Sequence, residues 1–243
     1  MGAGSAELSR AGVIRALVLH PLPGLATSVP VVRGPLGIAD RIPDPRAVAL
    51  TFDDGPHPEG TPAILDILAA RGAVATFFLA GEQVERRPAL ARRIADAGHT
   101  VALHCHRHRH AFVRGPREFE ADLLRGLATL ADVTGVRPTR YRPPFGVFSA
   151  SALIVPPRHG LEPTLWTRWG RDWEAGATAA SIARRVTRRV RGGDILLLHD
   201  ADWYGAPGSH LRTAAALPLV LAELGRRGLG VAAIGARSAA EAA

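Results

Sequence analysis

The feature that most constrains this chain is an alternation. Short apolar, β-branched or aromatic runs ("AVALTF" from Ala47, "VATFFL" from Val74, "HTVAL" from His99, "TRYR" from Thr139, "PTLW" from Pro163, "DILLLH" from Asp194 and "GVAAI" from Gly230) are separated by amphipathic stretches. Thr61-Pro62 reads as a helix start, and "AILDILAARG" carries that helix to a glycine stop. "RPALARRIADAG" ends the same way, and "PREFEADLLRGLATLADVTG" predicts a long amphipathic helix. Strand and helix in turn demand a parallel sheet with helical crossovers, and about seven such strands in one domain point to a (β/α) barrel or part of one. Residues 1–45 do not share the rhythm and are read as an N-terminal extension of a domain spanning 46–243.

The reactive residues fall on the same rhythm. Asp53 and Asp54 follow the first run; His104, His106, His108 and His110 follow "HTVAL"; Arg142 follows "TRY"; Asp172 and Trp173 follow "PTLWTRWGR"; His199 and Asp200 close "DILLLHD". In a barrel of parallel strands the C-terminal strand ends converge on one face, where active sites are built. Each piece alone has a plainer meaning. "DDGP" suits a turn, Arg142 before two prolines could brace a loop, and His199 could be a core histidine. "HCHRHRH" is ambiguous: His104 and His108 share a face if it is helical, and all four histidines do if it is extended. Together, one carboxylate and two imidazoles form an open site of zinc type, with positions left for water and substrate.

Composition narrows the classes. The net charge of +8 comes from thirty basic residues that are all arginine, at helix-like spacing in "ARRIA" and "ARRVTRRVRGG", which reads as solvated faces rather than a nucleic-acid footprint. The single cysteine, Cys105, excludes an internal disulfide framework. "AGVIRALVLHPLPGLA" is broken by Arg15, His20 and two prolines, so it predicts neither a membrane span nor a convincing export signal. The expectation is a cytoplasmic protein, with secretion as the alternative.

"TFDDGP", "GHTVALHCHRH", "RPPFG", "RDW" and "ILLLHD" resemble, in order, the five motifs of the polysaccharide deacetylases with the NodB-homology domain, carbohydrate esterase family four, over about residues 46–235. The resemblance implies a distorted (β/α) barrel, a divalent metal (zinc, or alternatively cobalt or manganese) and hydrolysis of N-acetyl groups from an amino-sugar glycan or small glycoside. It matches Asp53 to the catalytic base and Asp54 to a metal ligand. Gly98-His99 fixes the register that selects His104 and His108 as the other ligands, leaving His106 and His110 outside the set. Arg142 matches the arginine that orients the base, Asp172 the aspartate that tunes the acid, and His199 the acid itself. The main-chain N–H near Phe145 is expected to share the oxyanion with the metal, and Trp173 and Leu197 match positions lining the acetyl pocket. Cys105 departs from the family's usual Ser or Thr, which removes a hydroxyl that could steady the histidine loop, and Phe145 departs from a usual tyrosine.

The chemistry suits these residue types without the resemblance. Amide hydrolysis needs an activated water, a stabilised oxyanion and a proton for the departing nitrogen. Other readings are an inactive sugar-binding relative, an amidase for non-sugar amides, and a non-haem iron oxygenase, which would leave Asp53, Arg142 and His199 without a role. The expected partner is an N-acetylated carbohydrate, a small glycoside or short oligosaccharide rather than intact cell wall, with Trp173 and Trp203 offering surface to a sugar ring; no nucleic acid and no membrane insertion are expected.

Overall fold

The computed structural model describes residues 22–235. Eight strands, all paired in parallel, form one curled sheet: β1 (Ala47–Asp53), β2 (Thr76–Leu79), β3 (Thr100–Leu103), β4 (Arg140–Tyr141), β5 (Glu162–Pro163), β6 (Arg168–Trp169), β7 (Ile195–His199) and β8 (Gly230–Ala232). Seven lie on the path β5-β4-β3-β2-β1-β7-β6. β8 pairs with the first half of β1 along the edge whose second half pairs with β2. Helices α1 (Gly60–Ala69), α2 (Gly81–Arg86), α3 (Pro88–Asp96), α4 (Pro116–Thr134), α5 (Ala150–Arg158), α6 (Ala179–Thr187) and α7 (Ser209–Arg226) connect the strands. The result is a distorted, open (β/α) barrel.

Every residue of β1 and β2 is buried, as expected for parallel strands covered on both faces. Phe52 stacks on Phe77 across this pair with ring centroids 5.1 Å apart, at the centre of the core. The run "PTLW" does not form one strand. Only Pro163 of it lies in a strand, the two-residue β5 at the end of the sheet, where a residue with no N–H to donate is tolerated, and β6 begins beyond the run at Arg168. Helix α1 also begins differently from expectation. Thr61 is its second residue, and its hydroxyl accepts the His57 N–H and donates to Asp200, while the His57 Nδ1 takes the N–H groups of Glu59 and Gly60. The cap is therefore an imidazole.

The described part of the segment before β1 is integral to the barrel. Ala39 exchanges backbone hydrogen bonds beside β5 (to Pro163 at 2.9 Å, from Leu165 at 2.7 Å), and the Ile42 N–H reaches Gly193 at 2.9 Å ahead of β7. Ala26, Ile38 and Ile42 join the hydrophobic core. The buried Arg33 ties this arm down: its guanidinium donates to the carbonyls of Ala26, Thr27 and Trp166 and to Asp40. Among the described residues no helix is long and apolar enough to cross a membrane.

Candidate active site

β1 ends in the two aspartates, and they face different partners. The Asp53 Oδ1 accepts a hydrogen bond from the Arg142 Nη1 at 2.6 Å. Arg142 is completely buried, an unusual place for a guanidinium. It is held there by donating to the Thr51 hydroxyl and the carbonyls of Thr164 and Leu165, and by lying 3.9 Å over the Phe78 ring. With one carboxylate oxygen fixed in this way, the other remains for chemistry.

Asp54 turns the other way, at φ 80°, and its Oδ1 lies 3.4 Å from both the His104 Nε2 and the His108 Nε2. Burial alone would raise its pKa, but the imidazoles around it outweigh that and hold the carboxyl at about 2. The His104 Nδ1 lies 2.9 Å from the Arg142 carbonyl, which can only accept, so Nδ1 carries a proton and Nε2 is the nitrogen left to act as a ligand. Burial pushes His108 down to about 4, so its ring is neutral. The buried Asp54 Oδ1 and His108 Nδ1 have no hydrogen-bond partner among the described residues. A carboxylate and two imidazoles within 4.8 Å of one another, one oxygen unsatisfied, fit a divalent cation with open coordination positions.

The histidine loop is braced from below. Asp122 on α4 accepts the N–H groups of His106 and Arg107 and pairs with the buried Arg114 at 2.8 Å. Gly81 and Gly126 let the loop sit close: a Cβ on Gly81 would lie 2.6 Å from the His106 Nδ1, and one on Gly126 would lie 2.9 Å from the His106 N. His106 is buried on the far side, 3.8 Å from Glu85, and His110 stacks on Phe145. The hydroxyl that Cys105 lacks is replaced by a thiol 3.7 Å from the Tyr141 hydroxyl, and burial drives that thiol up to about 12, away from ionisation.

His199 closes the site from β7. Its Nδ1 lies 3.0 Å from Asp172 and its backbone N–H donates to the same carboxylate, which the Thr213 hydroxyl also supports. Burial lowers the His199 pKa, but the Asp172 charge and hydrogen bond, with Asp54 and Asp53 beyond, carry it up to about 10. Phe145 sits at φ 61°, and the turn's backbone bonds run from Gly146 N–H to Pro143 and from Val147 N–H to Pro144, so neither uses the Phe145 N–H. Trp173 meets His199 edge-on at 5.3 Å, and Leu197 lines the same cleft. Asp54, Cys105 and Phe145 are three of the five non-glycine residues with positive φ among those described, a concentration of strain typical of functional sites.

Two placements differ from the sequence reading. Trp203 does not face the cleft; it packs on His57 at 4.4 Å beneath the Arg87 guanidinium. Tyr204, not singled out, stacks on His108 at 3.9 Å and donates to Glu82, which also accepts the His108 N–H. Glu82 lies just past the C-terminal end of β2, so the strand-end rule that found the other residues also pointed to it.

Fold and site together define a (β/α)-barrel hydrolase. Residues 40–163 match the polysaccharide deacetylase family, and the chain belongs to that family. It is 34% identical over 186 residues to a peptidoglycan-N-acetylglucosamine deacetylase of Bacillus cereus, covering 75% of this chain and 84% of that protein. It is 34% identical over 201 residues to a chitooligosaccharide deacetylase of Azorhizobium caulinodans, covering 79% and 95%. The Bc1960 peptidoglycan N-acetylglucosamine deacetylase, solved with 4-naphthalen-1-yl-N-oxidanyl-benzamide, superposes with a TM-score of 0.77 at 28% identity over 84% of this chain and 93% of that one.

Proposed function

We propose that this chain is a metal-dependent N-deacetylase that releases acetate from N-acetylated amino-sugar units by attack of water on the amide. The observation that carries the reading is the division of labour between adjacent carboxylates: Asp53 is locked to Arg142, and Asp54 is left unsatisfied between two imidazoles. Asp54, His104 and His108 would hold the cation, zinc first given one oxygen and two imidazole donors. When bound, it supplies Lewis acidity, making water a nucleophile near neutral pH and polarising the amide carbonyl.

The residues of the chain do the rest. Asp53, oriented by Arg142, takes the proton of the attacking water through its unpaired oxygen. The Phe145 N–H donates to the developing oxyanion, a contribution of about 3 kcal/mol in comparable sites. His199, whose Nδ1 is engaged by Asp172, delivers its Nε2 proton to the departing nitrogen. Trp173 and Leu197 wall the acetyl methyl away from water. Acetate release from N-acetylglucosamine oligomers is expected from zinc-loaded protein and not from chelator-treated protein, with recovery on adding zinc back. Equal release with and without metal would overturn the proposal.

A further inference from the structure

The cleft above the candidate site is about 1030 Å³, at the upper end of the range for small-ligand sites and far more than an acetyl pocket requires. Its inner end holds Asp53, Asp54 and the histidines. Its outer half is built by two segments with no part in the reaction: Thr27, Ser28 and Pro30 of the arm on one side, and Arg168, Trp169 and Arg171 from β6 onward on the other. The arm wall is rigid, because the Thr27 hydroxyl bonds to the Gly146 carbonyl and Arg33 ties Ala26 and Thr27 to Trp166. Trp169 meets Trp166 edge-on at 6.5 Å and is 41% exposed, so much of its indole is open at the rim.

Charge changes sign along the cleft. Arg41 and Arg168 share one buried carboxylate, Asp194, at 3.0 and 3.3 Å. Arg171 and Arg185 share Glu174. Arg33 and Asp40 pair one to one. Two positive charges are therefore unmatched along the outer walls, and the Arg41 and Arg171 side chains are 50% and 53% exposed. Guanidinium forks favour oxyanions, and an open indole favours the apolar face of a sugar ring.

We propose that the outer cleft is a subsite for a sugar unit bearing an oxyanion, a carboxylate or a phosphate monoester, seated on Trp169 and drawn to Arg41, Arg168 and Arg171. It adjoins the N-acetylated unit whose amide is cleaved, and in that respect rests on the function proposed above. The arm is then part of the substrate-recognition surface, and the preferred substrate is an acidic N-acetylated glycan.

The test uses zinc-loaded protein and three N-acetylglucosamine oligomers of equal length: neutral, carrying carboxylate-bearing ethers on alternate units, and carrying a phosphate monoester. At least one acidic oligomer is expected to show kcat/KM about tenfold above the neutral one, through KM, with the advantage shrinking as salt rises. The better acidic oligomer identifies the anion. Arg41→Gln, which leaves Asp194 with Arg168, and Arg171→Asn, which suits that residue's φ of 53°, should each erase the preference. Arg226→Gln, the same charge loss on an exposed residue at the end of α7, should keep it. Equilibrium binding of the same oligomers to Asp53→Asn protein tests the subsite without turnover. Arg41-dependent preference for an acidic oligomer in binding, with no acetate released by the unaltered protein, would sink the deacetylase reading and uphold the subsite. Equal handling of neutral and acidic oligomers, in turnover and in binding, would overturn the subsite alone.

Discussion

Two clusters in this protein have the same composition, one aspartate and two histidines within 4.8 Å: Asp54, His104 and His108 at the ends of β1 and β3, and His57, Asp202 and His210 behind them. Their hydrogen bonds make them chemically different. In the first, the His104 Nδ1 is tied to a carbonyl and the Asp54 Oδ1 has no partner, so lone pairs converge on an open centre. In the second, the His57 Nδ1 accepts two backbone N–H groups, so the proton of the neutral ring sits on Nε2, 3.4 Å from Asp202. Burial and the neighbouring His210 lower the His57 pKa and keep that ring neutral. Asp202 also accepts the Gly208 N–H at 2.7 Å. The first cluster is fit to be the proposed cation cradle; the second is a clasp holding the loop that carries Tyr204 against His108. Residue type and proximity do not distinguish them, whereas the hydrogen bonds that orient one ring in each, His104 in the first and His57 in the second, do.

The largest effects should fall on the first cluster and its neighbour Asp53, and separate the two carboxylates. Asp54→Asn is expected to lose both metal and turnover. Asp53→Asn should keep the metal and lose about 100-fold to 10,000-fold in kcat, the usual contribution of a positioned base. Metal analysis beside kinetics checks both, and a metal-free Asp53→Asn protein would mean that the two roles are shared.

A smaller effect concerns the acid. Asp172 raises the His199 pKa, so Asp172→Asn lowers it, and the protonated form is lost at lower pH. The basic limb of kcat/KM should shift to lower pH while the acidic limb stays in place. A basic limb that does not move would detach Asp172 from the acid.

The second cluster should give the smallest change. Asp202→Asn is expected to leave metal content intact and to destabilise the fold by about 1–3 kcal/mol as the clasp loosens. That corresponds to a fall in Tm of roughly 2–12 °C for a chain of this size, readable by calorimetry. Loss of metal in this variant would break the distinction between the clusters.

Much of this was legible in the sequence, because strand-end placement and residue type are local signals. The "FDD", "HCHRH" and "LLLH" segments sit at strand ends by the same short-range alternation that defines the strands. What could not be read depended on contacts distant in sequence. Arg33 binds Trp166 across 133 positions, so the arm looked like an appendage although it forms one wall of the cleft. That "PTLW" leaves the sheet after Pro163 depends on which edge β5 occupies. The imidazole cap on α1 moved the helix start ahead of Thr61 and turned His57 away from the cation cradle, which no composition rule anticipates.

The central claim is that the hydrogen bonds at the Nδ1 atoms of His104 and His57 point opposite ways, so that one cluster can hold a metal and its neighbour is a clasp. Zinc content per chain, measured after exhaustive chelation, reloading and gel filtration, tests it in three proteins: unaltered, His108→Ala and His210→Ala. The account predicts one equivalent in the unaltered chain, none in His108→Ala and one in His210→Ala. Two equivalents in the unaltered chain, or one retained by His108→Ala and lost from His210→Ala, would contradict it.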